Sequence, residues 1–147
     1  MCDNNQLNDP VNHPSHYLKA AIVLEPIELT SRLDSCLGQA LQYVFRAPYK
    51  GNELEDLEKA RFYLNKELTL MYRRGVTAFA PLEKDTEAFI RVFHAQTCGF
   101  VHDVLDALFD PTTAQIVVYQ DGLCKALDVL GGQIGALMLM EKQEKCQ

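Results

Sequence analysis

The sequence contains no tryptophan and none of the short motifs that mark the common nucleotide enzymes and hydrolases. Without a GxxxxGK(S/T) or GxGxxG stretch, it has neither a Walker-type phosphate loop nor a dinucleotide-binding turn. Without a GxSxG elbow, it also lacks the usual nucleophile of the α/β-hydrolases. No motif therefore singles out a nucleophile and its base.

Cysteine pairs and long apolar runs are missing as well. The five cysteines are odd in number, widely spaced and form no CxxC pair. Such usage argues against a disulfide framework or a zinc ribbon and indicates reduced thiols in a cytosolic protein. The apolar run Val129–Met140 is too short to span a bilayer, and the polar, acidic start does not resemble a signal peptide. We expect a cytoplasmic protein that does not contact membranes.

The formal net charge is −6, which argues against general nucleic-acid binding because backbone phosphates require a dominant basic surface. The charge is nonetheless uneven along the chain. Seven basic residues lie close together in sequence, namely Arg46, Lys50, Lys59, Arg61, Lys66, Arg73 and Arg74. Five of the six tyrosines fall in the first half of the chain, namely Tyr17, Tyr43, Tyr49, Tyr63 and Tyr72. This bias fits a small anionic aromatic ligand better than a long polyanion.

The clearest helix pattern covers Leu54–Arg74, where apolar residues recur at three- and four-residue spacing. Asn52 is placed to cap this helix and to form a capping box with Glu55, and Gly75 supplies a C-terminal stop. A preceding helix is predicted over Cys36–Ala47, followed by a Pro-Tyr-Lys-Gly corner.

Further helical patterns predict an all-α fold. The expected helices cover residues 85–109, 112–130 and 134–142, with a break at Gly131-Gly132. We expect a compact bundle of about five helices in a single domain over residues 13–147, after an irregular N-terminal segment whose first 12 residues are flexible. Residues 13–75 would carry the binding motifs and residues 76–147 a helical C-terminal half. Its last helix combines small residues with Leu and Met, so a homo-oligomer is expected.

One face of the helix before the corner carries an unusual set of polar side chains. Gln39, Tyr43 and Arg46 recur at i, i+4 and i+7, and Lys50 follows in the corner. An amide, a phenol, a guanidinium and an ammonium on one ridge could bind an anion that carries a flat ring. From residue types alone, the preferred interpretation is a solvated face on which Arg46 pairs with Glu53 or Glu55.

Two other groups have the residue types of metal ligands. His94, Cys98 and His102 lie at i, i+4 and i+8, but three ligands along a straight helix cannot all reach one ion, so helix packing is the preferred interpretation. Three aspartates over residues 103–110 form an acidic edge that could hold Mg²⁺ beside a phosphate. A solvated acidic face is the preferred interpretation there.

Three stretches, HPSHY, LGQALQYVFRAPYKG and NELEDLEKARFYLNKEL, follow one another over residues 13–68. They resemble the pattern HPxHY, LGNALKYxxRAGxKG and EDLxKAxWYL of a family of small phage and prophage proteins. The same region resembles the C-terminal module of a nucleotide kinase of short-tailed coliphages, an enzyme that phosphorylates thymidylate and deoxyguanylate without a Walker loop. The resemblance implies a phage-type nucleotide-binding protein of the bacterial host cytoplasm.

The matching positions carry the family's residues over to this chain, namely His13, Pro14, His16, Tyr17, Gly38, Tyr43, Arg46, Lys50, Gly51, Glu55, Asp56, Lys59 and Tyr63. Two departures fall near the expected phosphate site. Pro48 stands where the family pattern has a glycine, and Gln39 stands where it has an asparagine.

A first hypothesis is phosphoryl transfer to a deoxynucleoside monophosphate, a reaction that depends mostly on positioning and charge neutralisation. The catalytic residues would be Arg46, Lys50 and Asp56, and Glu55 with Asp56 would hold Mg²⁺ as cofactor. The ligand-binding residues would be His13, His16, Tyr17, Gln39, Tyr43, Arg46, Lys50, Lys59 and Tyr63.

Two alternatives belong to other classes. The chain could sequester a nucleotide or a nucleotide-derived immune signal without chemistry, as a sponge against host defence. It could also be a helical adaptor whose ridge contacts a protein, which predicts no nucleotide binding. The resemblance favours the kinase-like hypothesis slightly.

Overall fold

The computed structural model of the chain describes residues 25–147, of which 76% are helical and none forms a strand. The prediction of a compact all-α fold is confirmed. The flexible segment predicted over residues 1–12, and the predicted ligand-binding residues His13, His16 and Tyr17, lie outside the described residues.

The described part of the chain forms six helices where about five were predicted. They are α1 Pro26–Thr30, α2 Ser35–Lys50, α3 Glu53–Arg74, α4 Lys84–Gln96, α5 Gly99–Phe109 and α6 Gln120–Lys145. One hydrophobic cluster draws on every helix. Within it the rings of Phe45 in α2 and Phe93 in α4 lie 5.1 Å apart between centroids.

The α2–α3 hairpin positions most of the predicted binding residues. α2 continues through Pro48 to Lys50, so the predicted end of the helix at Ala47 is wrong. Pro48 is tolerated because it stands in the last turn on an exposed side, where only one hydrogen bond is lost. Gly51 then ends the helix with a φ of 89°, a left-handed conformation that favours glycine.

The capping box predicted at the start of α3 does not form. The Asn52 side chain makes no bond to the helix backbone. Its amide Nδ2 donates instead to Oε2 of Glu55 at 3.0 Å. Gly75 ends α3 with a φ of 66°, as predicted.

The single helix predicted over residues 85–109 is wrong, because it breaks between α4 and α5. Thr97 is extended, with φ −102° and ψ 159°, and Gly99 opens α5 with a φ of 63°. The break folds α5 back on α4 and brings the rings of His94 and His102 to 4.1 Å between centroids. His94 also contacts Oδ1 of Asp106 through Nε2 at 3.2 Å.

The C-terminal helices predicted over residues 112–130 and 134–142 are one helix, α6, which begins only at Gln120. The residues before it are held in a loop, since the backbone N–H of Phe79 donates to the Val118 carbonyl at 2.9 Å. The Ile116 N–H donates to Oε1 of Glu87 at 2.8 Å. The helix passes through Gly131-Gly132 without interruption because two glycines in a long helix lower its stability without breaking it.

Candidate functional site

Two tyrosines form the centre of the candidate site on the α2–α3 hairpin. Tyr43 of α2 and Tyr63 of α3 stack with ring centroids 5.9 Å apart and an interplanar angle of 12°. Both are half-buried and pack against the core. Stacked rings that retain some exposure are a surface on which a further flat ring can pack.

Arg46 lies over one of these rings and is held there by a carboxylate. Its guanidinium carbon is 4.4 Å from the centroid of the Tyr43 ring. Its Nε donates to Oδ2 of Asp56 at 3.0 Å and its Nη2 donates to Oδ1 at 2.7 Å. The Asp56 side chain is only 2% exposed, against 20% for Arg46. Arg46 therefore pairs with Asp56. The solvated-face interpretation expected a pair with Glu53 or Glu55 instead.

Lys59 brings a second cation to the same ring from the α3 side. Its ammonium lies 5.6 Å from the Tyr43 centroid and pairs with Glu55 one turn earlier. The hydrogen bond to Glu55 raises the pKa of Lys59, which keeps the ammonium charged. We call Tyr43, Arg46, Asp56, Lys59 and Tyr63 the tyrosine cluster.

The other two predicted binding residues of the described chain, Gln39 and Lys50, lie on α2 one turn before Tyr43 and one turn after Arg46. Gln39 is exposed and lines a separate cavity of about 420 Å³, together with Thr30, Gly38 and Gln42. Lys50 is exposed at the end of α2. The hairpin thus brings together six predicted residues, namely Tyr43, Arg46, Glu55, Asp56, Lys59 and Tyr63.

The residues predicted to hold Mg²⁺ both have cationic partners. Asp56 accepts two hydrogen bonds from Arg46, and Glu55 pairs with Lys59. Within residues 25–147 no group of three or more histidine, cysteine, aspartate or glutamate side chains is placed to hold a metal ion. A Mg²⁺ ion at Glu55 and Asp56 would compete with both cations, and its binding stays a prediction.

The structure also shows a buried carboxyl, paired with an exposed one, that the sequence-based analysis missed. Glu67 of α3 is 2% exposed and hydrogen-bonds with Asp34, the N-cap residue of α2. Burial, followed by the hydrogen bond and the negative charge of Asp34, raises the pKa of Glu67 to about 7, although Arg74 opposes the shift. The available signal was its position, because Glu67 lies three residues after Leu64 on the buried stripe.

The three aspartates over residues 103–110 do lie together, along a cavity of about 1020 Å³ between α5, the following loop and α6. Asp110 is fixed by hydrogen bonds from the Thr112 hydroxyl and from its backbone N–H, which lower the pKa of this carboxyl. Asp106 contacts His94, and Lys125 adds a positive charge that is paired with Asp121. The cavity is thus acidic, with its charges largely engaged.

The tyrosine cluster lies inside a region of the chain that matches a family model. Residues 11–65 match the model of a family described as a protein of unknown function, DUF3310. The match includes α2 and the first part of α3. No curated protein and no solved structure matches the chain significantly. The resemblance to an uncharacterised family is thereby supported, while the phage origin and the likeness to a nucleotide kinase stay predictions.

Proposed function

We propose that this protein binds a nucleotide or a nucleotide-derived small molecule at the tyrosine cluster. The observation that carries the proposal is the position of two cations on one aromatic ring, with Arg46 at 4.4 Å and Lys59 at 5.6 Å from the Tyr43 centroid. A stacked aromatic surface beside positive charge suits a ligand that has a flat base and a phosphate.

The two ion pairs of the cluster suit different roles. The Glu55–Lys59 pair is exposed, with 54% and 41% of the side chains accessible, and such pairs contribute little to stability. A ligand phosphate can replace Glu55 at little cost and take the ammonium of Lys59. The Arg46–Asp56 pair is shielded from solvent, so Arg46 is better suited to hold Tyr43 in place and to supply positive charge.

The same geometry weighs against phosphoryl transfer. Both carboxylate oxygens of Asp56 accept hydrogen bonds from Arg46, so the proposed catalytic roles of Arg46 and Asp56 would require this pair to open. Binding without turnover needs no such rearrangement. The resemblance to a nucleotide kinase keeps a kinase-like enzyme as the second candidate, and sequestration of a nucleotide signal is the corresponding non-catalytic role.

One incubation separates these functions. Purified protein is mixed with Mg-ATP and a panel of deoxynucleoside monophosphates and cyclic nucleotides, then separated from free ligand and denatured. Both fractions are analysed by chromatography. We expect unchanged ligand in stoichiometric amounts with the protein fraction. New nucleoside diphosphate in catalytic excess over protein would establish the kinase-like enzyme instead. If the incubation gives no product and the protein retains no ligand, nucleotide binding is overturned and the adaptor is favoured.

A further inference from the structure

The outer face of α6 leaves several large apolar side chains uncovered within the described part of the chain. The 26-residue helix is about 39 Å long, and its buried residues end at Ile134. Beyond that point Met138, Leu139 and Met140 are 46%, 62% and 57% exposed. Three large apolar side chains in succession are an unusual surface for a soluble monomer.

A stripe of helical spacing runs along this outer face, away from the core. It contains Asp128, Gly131, Gly135, Met138 and Lys142, which follow one another at intervals of three and four residues. Leu139 and Gly132 flank it. This is the spacing at which two helices pack along a shared seam. We call these seven residues the outer stripe.

We infer that the outer stripe pairs with the same stripe of a second copy of this chain, antiparallel and with Gly135 at the twofold axis. In a twofold interface each contact occurs twice, so a stripe must be complementary to its own reverse. In this register the residue numbers of facing positions add up to 270, and the outer stripe can be examined pair by pair.

The first complementarity is one of size. Leu139 faces Gly131 of the second copy, and Met138 faces Gly132. A methyl group added at either glycine would meet no atom within 4 Å in one chain, so the space outside both is open. Each large side chain thus meets a position without a side chain, which lets the helices approach closely and interdigitate.

The second complementarity is one of charge. Asp128 faces Lys142 of the second copy, and symmetry repeats this pair at the other end. Both residues are exposed. Lys125 faces Lys145 at the margin of the seam, but the Lys125 ammonium is already 2.8 Å from Oδ2 of Asp121, which offsets the repulsion. A helix pair with apolar residues near its centre and opposite charges at both ends has a defined direction and register.

A lipid bilayer is the other environment that would cover apolar side chains on this helix. α6 is the single helix in residues 25–147 that is long and apolar enough to cross a membrane by length and composition. The charges of Asp128 and Lys142 on the outer stripe disfavour burial in lipid and favour a second protein chain.

Charge exchange tests the pairing and its register by light scattering coupled to size exclusion. The wild type is expected at about 33 kDa, which is twice the 16.6 kDa of one chain. Asp128→Lys places two lysines opposite each other, and Lys142→Asp places two aspartates opposite each other. Each variant alone should have a dimer dissociation constant raised roughly tenfold or more. An equimolar mixture of the two variants should form a heterodimer, because each restored pair joins opposite charges.

The control is Asp103→Lys, an equal charge change at an exposed position outside the outer stripe, which should leave the dimer intact. Circular dichroism of each variant verifies the helical fold. A monomeric wild type would overturn the inference, as would single variants that dimerise like the wild type. Flotation of a monomeric wild type with phosphatidylcholine vesicles would assign the surface to lipid and would equally overturn it.

Discussion

Arg46 has its charge balanced by a carboxylate that solvent scarcely reaches. Its guanidinium makes two hydrogen bonds to Asp56 and covers the Tyr43 ring. A pair of this kind is costly to break from one side, because the remaining charge stays buried without its partner. Substituting one member of the pair therefore tests its contribution to stability before it tests function.

We predict that Arg46→Met lowers the free energy of unfolding by about 3 kcal/mol, because Asp56 is left buried and unpaired. The double variant Arg46→Met with Asp56→Leu should recover most of this loss, since no charge then remains in the site. Urea unfolding followed by circular dichroism measures both. Lys50→Met, at an exposed position of the same helix, is the control and should change stability little. An equally stable Arg46→Met variant would show that the pair is unimportant for folding.

Glu67 is a buried residue whose surroundings shift its pKa. Its pKa is raised from 4.5 to about 7 in the folded chain. Between these values the folded chain retains a proton that the unfolded chain releases, so folding is favoured at low pH. This contribution is complete below about pH 4.5 and is lost as the pH rises through about 7.

Glu67→Gln imitates the protonated carboxyl, so the variant and the wild type should have the same free energy of unfolding near pH 5. Near pH 8 the variant should be more stable than the wild type by roughly 3 kcal/mol, because the wild type must then either bury a charge or keep its proton at a cost. Chemical denaturation at a series of pH values gives the difference. Glu58→Gln, on the exposed side of α3, should show no such trend. Parallel pH profiles for wild type and Glu67→Gln would contradict the assignment.

At the scale of elements, α1 packs in close contact with α2 at Gly38. A methyl group added at Gly38 would lie 2.7 Å from the carbonyl oxygen of Thr30. A backbone oxygen cannot rotate aside as the end of a flexible side chain can. The absence of a side chain at Gly38 is thus required for α1 to pack where it does.

We predict that Gly38→Ala destabilises the fold by about 1–3 kcal/mol, despite the higher helix propensity of alanine. Gly132→Ala, in a helix position with no atom within 4 Å of the added methyl group, is the matched control and should be neutral or stabilising in the monomer. Thermal unfolding at low protein concentration compares the two. A Gly38→Ala protein as stable as the wild type would show that α1 can shift without cost.

The sequence predicted α2 and α3 well and the C-terminal helices poorly, for identifiable reasons. The stripe of α3 is long, regular and bounded by Gly51 and Gly75, both with positive φ, so local patterns define it. The break at Thr97 interrupts a continuous apolar pattern and depends on how α5 packs against α4. Likewise the loop before α6 is held by hydrogen bonds to distant residues such as Phe79 and Glu87, which local sequence does not reveal.

At the scale of the whole molecule, part of the candidate site could be predicted from the sequence. Helical spacing was enough to expect Tyr43 on the same face of α2 as Arg46, whereas Lys59 and Tyr63 were expected from the family resemblance. It did not identify the carboxylate that pairs with Arg46, because several acidic residues crowd the first turns of α3. Asp56 lies four residues before Ala60 on the buried side, and an acidic residue in that position was the available signal.

The family match and the tyrosine cluster coincide in the chain, since residues 11–65 include all five cluster residues. The surface proposed for self-association lies on α6, outside that match. Ligand binding and dimer formation can therefore be tested separately, with variants that do not overlap.

The most direct test of nucleotide binding is calorimetric titration. Thymidine monophosphate is the first probe, followed by any nucleotide that the protein retains in the incubation. Tyr63→Leu removes one face of the stack and Lys59→Gln removes the exposed cation. Each should weaken binding about tenfold or more, since stacking alone contributes about 1–3 kcal/mol per base. Tyr72→Leu makes the same aromatic change, and Arg73→Gln likewise removes one positive charge, at exposed positions of α3 outside the cluster. We predict wild-type affinity for these two controls. Equal affinity in all four variants, or no binding by the wild type to any nucleotide tested, would contradict the proposed site.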